Sequence, residues 1–492
     1  MSTLANSLVG PGFRACRRCS ARRGALRFVP VLGFLVLGGC TVGPHYVKPT
    51  VPVPANYKEL GAEGSLWKIS QPGDDAPRGE WWAAFSDPQL SALEQTLNQS
   101  NQSIAAAAAA VAAARAVIRE SRAQYLPVIT GSANIANSHI STFGPRPAGV
   151  TYSQFSLPVQ ASWEPDLWGR VRNTVSANTF AAQAAAADLE NVRLAAQSEL
   201  AVDYYQLRAQ DSMKRILDAI ARAEKESLEL SRTLCDAGLA ADETVAQAES
   251  QWQTAQAQAN NLGILRTQYE HAIAMLIGRP AAGFALPAAT PKSTLPAIPV
   301  GLPSRLLERR PDIAAAERAM AQANAQIGAA KAAYYPNITL SASGGFQNFG
   351  MAQWLTWPSR VWSVGPALAE TLFDGGLRKA TVEQYRAFYD ETVANYRQTV
   401  LTAFQQVEDN LAAIRILSET IERQDAAILS AQRTLRDETA RYTAGLDPYL
   451  NVLAAETALF AAEEGEVTFR AQQMTAAVQL IQALGGGWTS TQ

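Results

Sequence analysis

The feature that most constrains this chain is the stretch from Leu377 to Ala444, which contains no proline and no internal glycine. Along it Val393, Val400, Val407, Ile414, Ile421, Ile428 and Leu435 recur every seven residues. Such a stripe specifies a helix with a left-handed supercoil. At about 1.5 Å per residue it is about 100 Å long, too long for a compact domain to cover. Gly445 is suited to the left-handed position that ends such a helix, and Asp447-Pro448 to opening the next one, which returns to Ala483-Leu484-Gly485. Taken alone, this tall antiparallel hairpin also fits a cytoplasmic coiled coil or tether.

The rest of the chain repeats the pattern. Pro127 corresponds to Pro336, Gly169 to Gly375, Gly238 to Gly445, Glu249 to Glu456 and Gly278 to Gly485, at an offset that stays between 206 and 209. This spacing predicts an internal duplication, each half reading helix, β-hairpin, long helix, return helix. The predicted boundaries are a first repeat over 87–278, with hairpin 127–164, long helix 170–237 and return helix 242–278, and a second over 304–485, with hairpin 336–371, long helix 377–444 and return helix 448–485. A proline-rich linker, 279–303, joins them, and 486–492 is a tail. The helix of about 38 residues ending at Gln124 and the return helix 242–278 are expected to stack end to end beside a long one.

Residues 1–39 hold six arginines and no acid, and end in the apolar run Phe28–Leu37 followed by Gly38-Gly39-Cys40. The run is too short to cross a bilayer, which takes about 20 residues, and its basic flank fits a signal peptide. Leu37-Gly38-Gly39-Cys40 resembles a bacterial lipobox, making Cys40 the expected lipidation site and 40–86 an anchored, extended tether. Cleavage would remove Cys16 and Cys19, leaving Cys40 and Cys235. It also lowers Lys plus Arg from 42 to 36 against 44 acids, a net charge of 36 − 44 = −8, which argues against a nucleic-acid partner. No further segment is expected to reach the length of a membrane helix, so any crossing of a membrane falls to strands.

Candidate strands are present. Phe155, Leu157, Val159, Ala161 and Trp163 alternate with Gln154, Ser156, Gln160 and Ser162; Ile129, Gly131, Ala133 and Ile135 alternate with Thr130, Ser132 and Asn134. The second half repeats this with Ile338, Leu340, Ala342 and Phe346, then with Trp362, Val364 and Leu368. Strands of about ten residues with one apolar face match transmembrane β-strands. Four per chain cannot close a barrel, so protomers are expected to share one. Strands of a soluble sheet are the alternative, with nothing else in either half to cover their apolar faces.

Cys40-Thr41-Val42-Gly43-Pro44-His45-Tyr46, Trp81-Trp82, Leu307-Glu308-Arg309-Arg310-Pro311-Asp312, Phe373-Asp374-Gly375-Gly376, Arg441-Tyr442-Thr443-Ala444-Gly445-Leu446 and Ala483-Leu484-Gly485-Gly486-Gly487-Trp488 together resemble the TolC-type outer membrane factors, and most closely their NodT-type lipoprotein branch. That resemblance implies an α+β membrane protein: a homotrimer with a 12-stranded transmembrane β-barrel, continued by a 12-helix periplasmic α-barrel with a small equatorial region. It further implies an outer membrane location, lipid-anchored and extending into the periplasm, with a periplasmic adaptor and an inner-membrane RND pump as partners. The implied function is a passive exit duct for small molecules such as drugs. A structural periplasmic spacer lipoprotein and a type I protein secretion duct are the alternatives; the alternating hairpins favour a duct over a spacer.

His45, His139 and His271 are scattered, no metal-ligand spacing, phosphate loop or nucleophile elbow appears, and no catalytic residue, cofactor or enzymatic activity is expected. The helix turns at Gly238, Leu239, Gly445, Leu446 and Asp447 are expected to face the adaptor. By resemblance Leu450 takes the place of an apolar gate ring, against the plain reading of a helix-packing residue. Ala454 and Thr457 stand where relatives carry an acid and an arginine, which argues against a charged latch. Mass spectrometry of the mature N-terminus is expected to find acylated Cys40; an unmodified cysteine or cleavage elsewhere would refute lipidation.

Overall fold

The computed structural model describes residues 42–51, 54, 57–60, 79–143, 149–289, 295–296, 298 and 309–486. Cys40 with its leader, Leu307-Glu308 and Trp488 lie outside these residues, as does most of the connector after 289.

Two helices dominate, α3 (Arg170–Asp236) and α6 (Leu377–Thr443), each 67 residues and so about 100 Å long. All seven heptad residues of α6 turn away from solvent, with Val400, Val407 and Ile421 fully buried. Each long helix ends in a glycine of positive φ, 72° at Gly238 and 70° at Gly445. The amide after each glycine reaches back to close the turn: Leu239 N–H donates to Leu234 O at 2.8 Å and Leu446 N–H to Arg441 O at 2.9 Å. The return helices are α4 (Asp242–Leu276) and α7 (Tyr449–Ala483), 35 residues each.

The two remaining long elements, α2 (Gln102–Ala123) and α5 (Pro311–Ala332), are 22 residues each. The expected 38-residue helix is therefore broken. Asn101 adopts an extended backbone (φ −66°, ψ 124°) and separates α2 from α1 (Pro88–Ser100), because its side chain accepts from Ile104 N–H and starts a new helix. Length and composition alone would let Pro88–Ala123 pass as a membrane span, contrary to the expectation that no further segment would, because its alanine run lifts the mean hydropathy to 1.3. It is instead two helices, both packed along α3.

The break is also a joint. Asn101 Nδ2 donates to Leu276 O at 2.8 Å and Ser100 Oγ to Ile277 O at 2.6 Å, so the free carbonyls ending α4 are satisfied at the start of α2. In the second half Arg310 Nη1 donates to Ala483 O at 3.0 Å, joining α7 to α5. Gly278 and Gly485 permit these approaches: a Cβ would lie 2.4 Å from Ser100 O and 2.9 Å from the Arg309 carbonyl. Each joint sets the negative end of one helix dipole against the positive end of the next.

The strands form one sheet. β3 (Thr151–Trp163) pairs with β4 (Asn337–Asn348), β4 with β5 (Arg360–Ala369), and β1 (Val128–Gly131) and β2 (Asn134–His139) both with β3, all antiparallel. The first expected strand is thus interrupted after Gly131, yet its register is unbroken, with Gly131 opposite Val159 and Asn134 opposite Ser156. Pro158 causes the gap: its carbonyl accepts from Ser132 N–H at 3.1 Å, but with no N–H it cannot reciprocate.

The first residues form the extended segment expected from their prolines, and they are packed along the protein. Val42 N–H donates to Trp168 O, Asn324 Nδ2 to Pro44 O, Lys48 pairs with Glu317 at 3.0 Å, Tyr57 is buried, and Glu59 meets Arg415 at 2.7 Å. The segment is a strap laid down α5 and onto α6.

Replacing Asn101 with alanine removes a cap and a bond across the joint, and is expected to cost about 2–3 kcal/mol. A lowered urea midpoint of the helical circular dichroism checks it; an unchanged midpoint would show that stacking alone holds the joint.

Candidate functional site

The sheet has two chemically distinct faces, because directly opposed residues in antiparallel strands point the same way. One ladder runs Ile129, Ala161, Ala342, Val364; the next runs Thr130, Gln160, Ser343, Ser363. In the single chain the apolar face is bare, with Trp362 76% and Val364 70% exposed. Both outer edges, on β1/β2 and on β5, have no strand beside them among the described residues. Gly345 lets β3 and β4 approach: a Cβ there would sit 2.2 Å from Leu157 O.

The sheet meets the long helices in two similar turns. Asp166 accepts from Val171 N–H at 3.0 Å and Arg172 N–H at 2.8 Å; Asp374 accepts from Gly376 N–H at 2.9 Å and Arg378 N–H at 3.2 Å. The N-cap glycines, Gly169 and Gly376, have positive φ, as does Gly375 before the latter. The Arg378 guanidinium beside Asp374 holds that carboxyl below its usual range. Asp374 serves the turn. Beneath the sheet Trp168 stacks on Tyr335 at 4.8 Å and donates to Pro336 O at 2.8 Å, an aromatic level of the kind found at membrane interfaces.

At the far end lie the tips. Leu239 and Leu446 are 77% and 71% exposed. Asp447 is ion-paired with Arg441, which keeps its carboxyl below the usual range. Leu450, second residue of α7, is 59% exposed, whereas Val452 and Ala455 beside it are buried. It therefore does not act as a packing residue within the single chain. Thr457 hydrogen-bonds to Leu453 O of its own helix.

Other polar groups escaped the sequence. Arg208, fully buried, donates to Asp211 at 2.7 Å, Pro287 O at 2.8 Å and Gln89 at 2.6 Å, and Arg266 completes the cluster through Asp211 at 2.8 Å. Burial pushes the Glu94 carboxyl well up. It also raises Glu456, to about 7, with help from the charge of Glu224. Glu224 lies seven residues from Leu217 on the buried stripe of α3; a charge on an apolar seam was the available signal. Among the described residues no three His, Cys, Asp or Glu side chains gather to hold a metal ion.

The arrangement is a two-faced sheet carried on helices about 100 Å tall. The profile of the family described as "Outer membrane efflux protein" matches residues 93–279 and 302–486. The chain is 32% identical over 460 residues to "Probable efflux pump outer membrane protein TtgC" of Pseudomonas putida, covering 92% of this chain and 94% of that one. It is 32% identical over 482 residues to "Outer membrane protein OprJ" of Pseudomonas aeruginosa, with 95% and 97% covered. The solved structure of the outer-membrane channel OprN superposes with a TM-score of 0.82 at 29% identity, covering 91% of this chain and 100% of that one. The chain belongs to the outer membrane efflux protein family.

Gly345→Val should abolish accumulation of folded protein in the outer membrane fraction, since no L side chain fits against Leu157 O. Gly365→Val, on the open polar face with nothing within 4 Å of its Cβ, should accumulate normally. Normal levels of the Gly345 variant would refute the close strand pairing.

Proposed function

We propose that the protein is the outer membrane exit duct of a tripartite efflux pump, a passive path for small molecules such as drugs. The observation that carries this reading is the sheet, four strands wide with β1 and β2 in line in one position, apolar on one face, polar on the other, open at both edges, and continuous with helices long enough to leave the membrane far behind. In lipid an open edge strands its backbone N–H and C=O groups, at several kcal/mol each, so the edges require partner strands. A homotrimer supplies them: three sheets give a 12-stranded barrel with the polar face lining the lumen, and four helical columns per chain give a 12-helix tunnel. The alanines 105, 106 and 108–110 of α2, exposed in the single chain, offer a flat face for a neighbour.

The two halves read as copies of one ancestral unit, within the repeat boundaries expected from the sequence. Lipidation at Cys40 suits this picture, because Val42, two residues on, bonds at the Trp168 level beneath the sheet. The exposed tips, Gly238 with Leu239 and Gly445 with Leu446 and Asp447, are the surfaces offered to a periplasmic adaptor, and an RND pump in the inner membrane supplies the energy. Leu450, exposed in one chain and near the tip, would meet its two copies on the axis. An apolar ring closes a pore by dewetting, without ion pairs.

Native mass spectrometry should find a trimer, and planar bilayers a channel whose conductance Leu450→Ser raises severalfold. A folded monomer would refute the shared barrel; unchanged conductance in a verified Leu450→Ser trimer would place the constriction elsewhere.

A further inference from the structure

We propose that Glu224 of α3 and Glu456 of α7 together hold one proton that latches the two hairpins, and that its loss parts them and widens the duct. The proposal rests on the duct reading and adds a control to it.

The register of the two antiparallel helices brings these residues together. Gln206 Nε2 of α3 donates to Thr475 Oγ1 of α7 at 3.1 Å. Lower down, Met213 and Leu217 of α3 share one apolar cluster with Ile220 and with Val467 and Phe460 of α7. The seven residues from Met213 to Ile220 match the seven from Val467 back to Phe460. One helical turn of four residues further, down α3 and back along α7, reaches Glu224 and Glu456. Glu224 is 6% exposed, and its Oε2 has no hydrogen-bond partner. Glu456 adjoins the buried Ala455 and lies one turn from the buried Val452.

Among the described residues the surroundings provide no compensating cation. On α3, Arg222, Lys225 and Glu226 are exposed, and Lys225 faces Glu229 at 4.0 Å. On α4, Glu249 pairs with Arg232 at 3.5 Å, and Gln251 presents an oxygen with no partner. On α6, Arg441 is held by Asp447, Tyr442 packs edge-on to Tyr449 at 5.2 Å, and Glu438 adds another buried oxygen without a partner. On α7, Glu463 lies beside Glu466, a further negative charge, and Tyr449 feels both Glu456 and Glu224.

A buried carboxyl and a half-buried one facing it across the seam without a cation do not both ionise readily; the pair keeps a proton. Burial first, and the charge of Glu224 second, raise Glu456 to about 7, and burial raises Glu224. The sign follows from linkage. The closed contact binds the proton more tightly than the parted helices do, so its stability is present at low pH and is lost as pH rises through about 7. Above that, two carboxylates repel across the seam between the hairpins.

The test uses the full-length trimer in planar bilayers. Wild-type conductance should rise as pH passes about 7. Glu456→Gln and Glu224→Gln should each hold it at the acid-side level throughout, because either leaves a single carboxyl with no second one to repel. Spin labels at Glu226→Cys and Thr457→Cys, in a Cys235→Ala background, should separate over the same range. A flat wild-type profile in a working channel, a Glu456→Gln channel that keeps the rise, or a constant label distance would overturn the latch. If no channel forms at all, the duct reading fails, and the label distance still decides on the proton.

Discussion

A helix of 67 residues is stable in water only if something of its own height covers its apolar stripe. This chain meets that requirement with two joined columns, α4 running into α2 and α7 into α5. The joints are where the columns could fail, since each interrupts a helix and exposes its last carbonyls. They are closed by Ser100 and Asn101 in one half and Arg310 in the other. The chemistry differs and the result is the same. Because α4 and α2, or α7 and α5, come from distant parts of the sequence, each joint also fixes the height at which sheet and tips stand.

The equator is held differently. Arg208 sits wholly inside the protein, which costs several kcal/mol in desolvation unless its hydrogen bonds are made. Asp211, Gln89 and the Pro287 carbonyl meet two of its nitrogens, while Tyr204 lies under the guanidinium with 5.0 Å to the ring centroid. Tyr204 in turn donates to Asp87, the cap of α1. One buried cation thus ties α1, α3 and the connector after α4 together. Deleting it would leave Asp211 buried with only Arg266 to balance it. The strap from Val42 to Glu59 makes the equivalent tie on the second half, through Lys48 and Glu317 and through the buried Tyr57.

The sequence made the periodic parts legible. Heptads in α6, positive-φ glycines at the turns and two-residue alternation in the strands are each a local rule repeated many times, so single exceptions do not hide them. What stayed hidden rests on single residues whose partners are remote. Asn101 looks like any polar residue in an alanine-rich helix until Leu276, 175 positions away, is placed beside it. Pro158 splits one strand without changing its register, which alternation cannot register as a break. The prolines of the strap imply an extended tether but not where it lies; its contacts are to α5 and α6, some 270 to 350 residues on. Leu450 was singled out by resemblance alone, and its exposure is a fact only the packing of α7 reveals.

The two ends of the molecule are held by different forces, and this decides which end is free to move. At the sheet, in the proposed barrel, backbone groups facing lipid would have no alternative partner, so pairing there would be obligatory and rigid. Toward the tips the helices keep their own backbone bonds whatever their neighbours do. What joins one hairpin to the other is side-chain packing, through Phe460 and Val467 against Met213 and Leu217, interrupted by the glutamates before the buried Leu228 and Val452 one turn nearer the tip. An apolar seam becomes weaker where a carboxyl replaces a leucine, because a methyl-rich contact is exchanged for a group that prefers water whenever it ionises. The seam is therefore weakest at the glutamates, between the cluster around Met213 and Leu217 and the buried Leu228 and Val452. Parting the hairpins there leaves the barrel and the joints untouched.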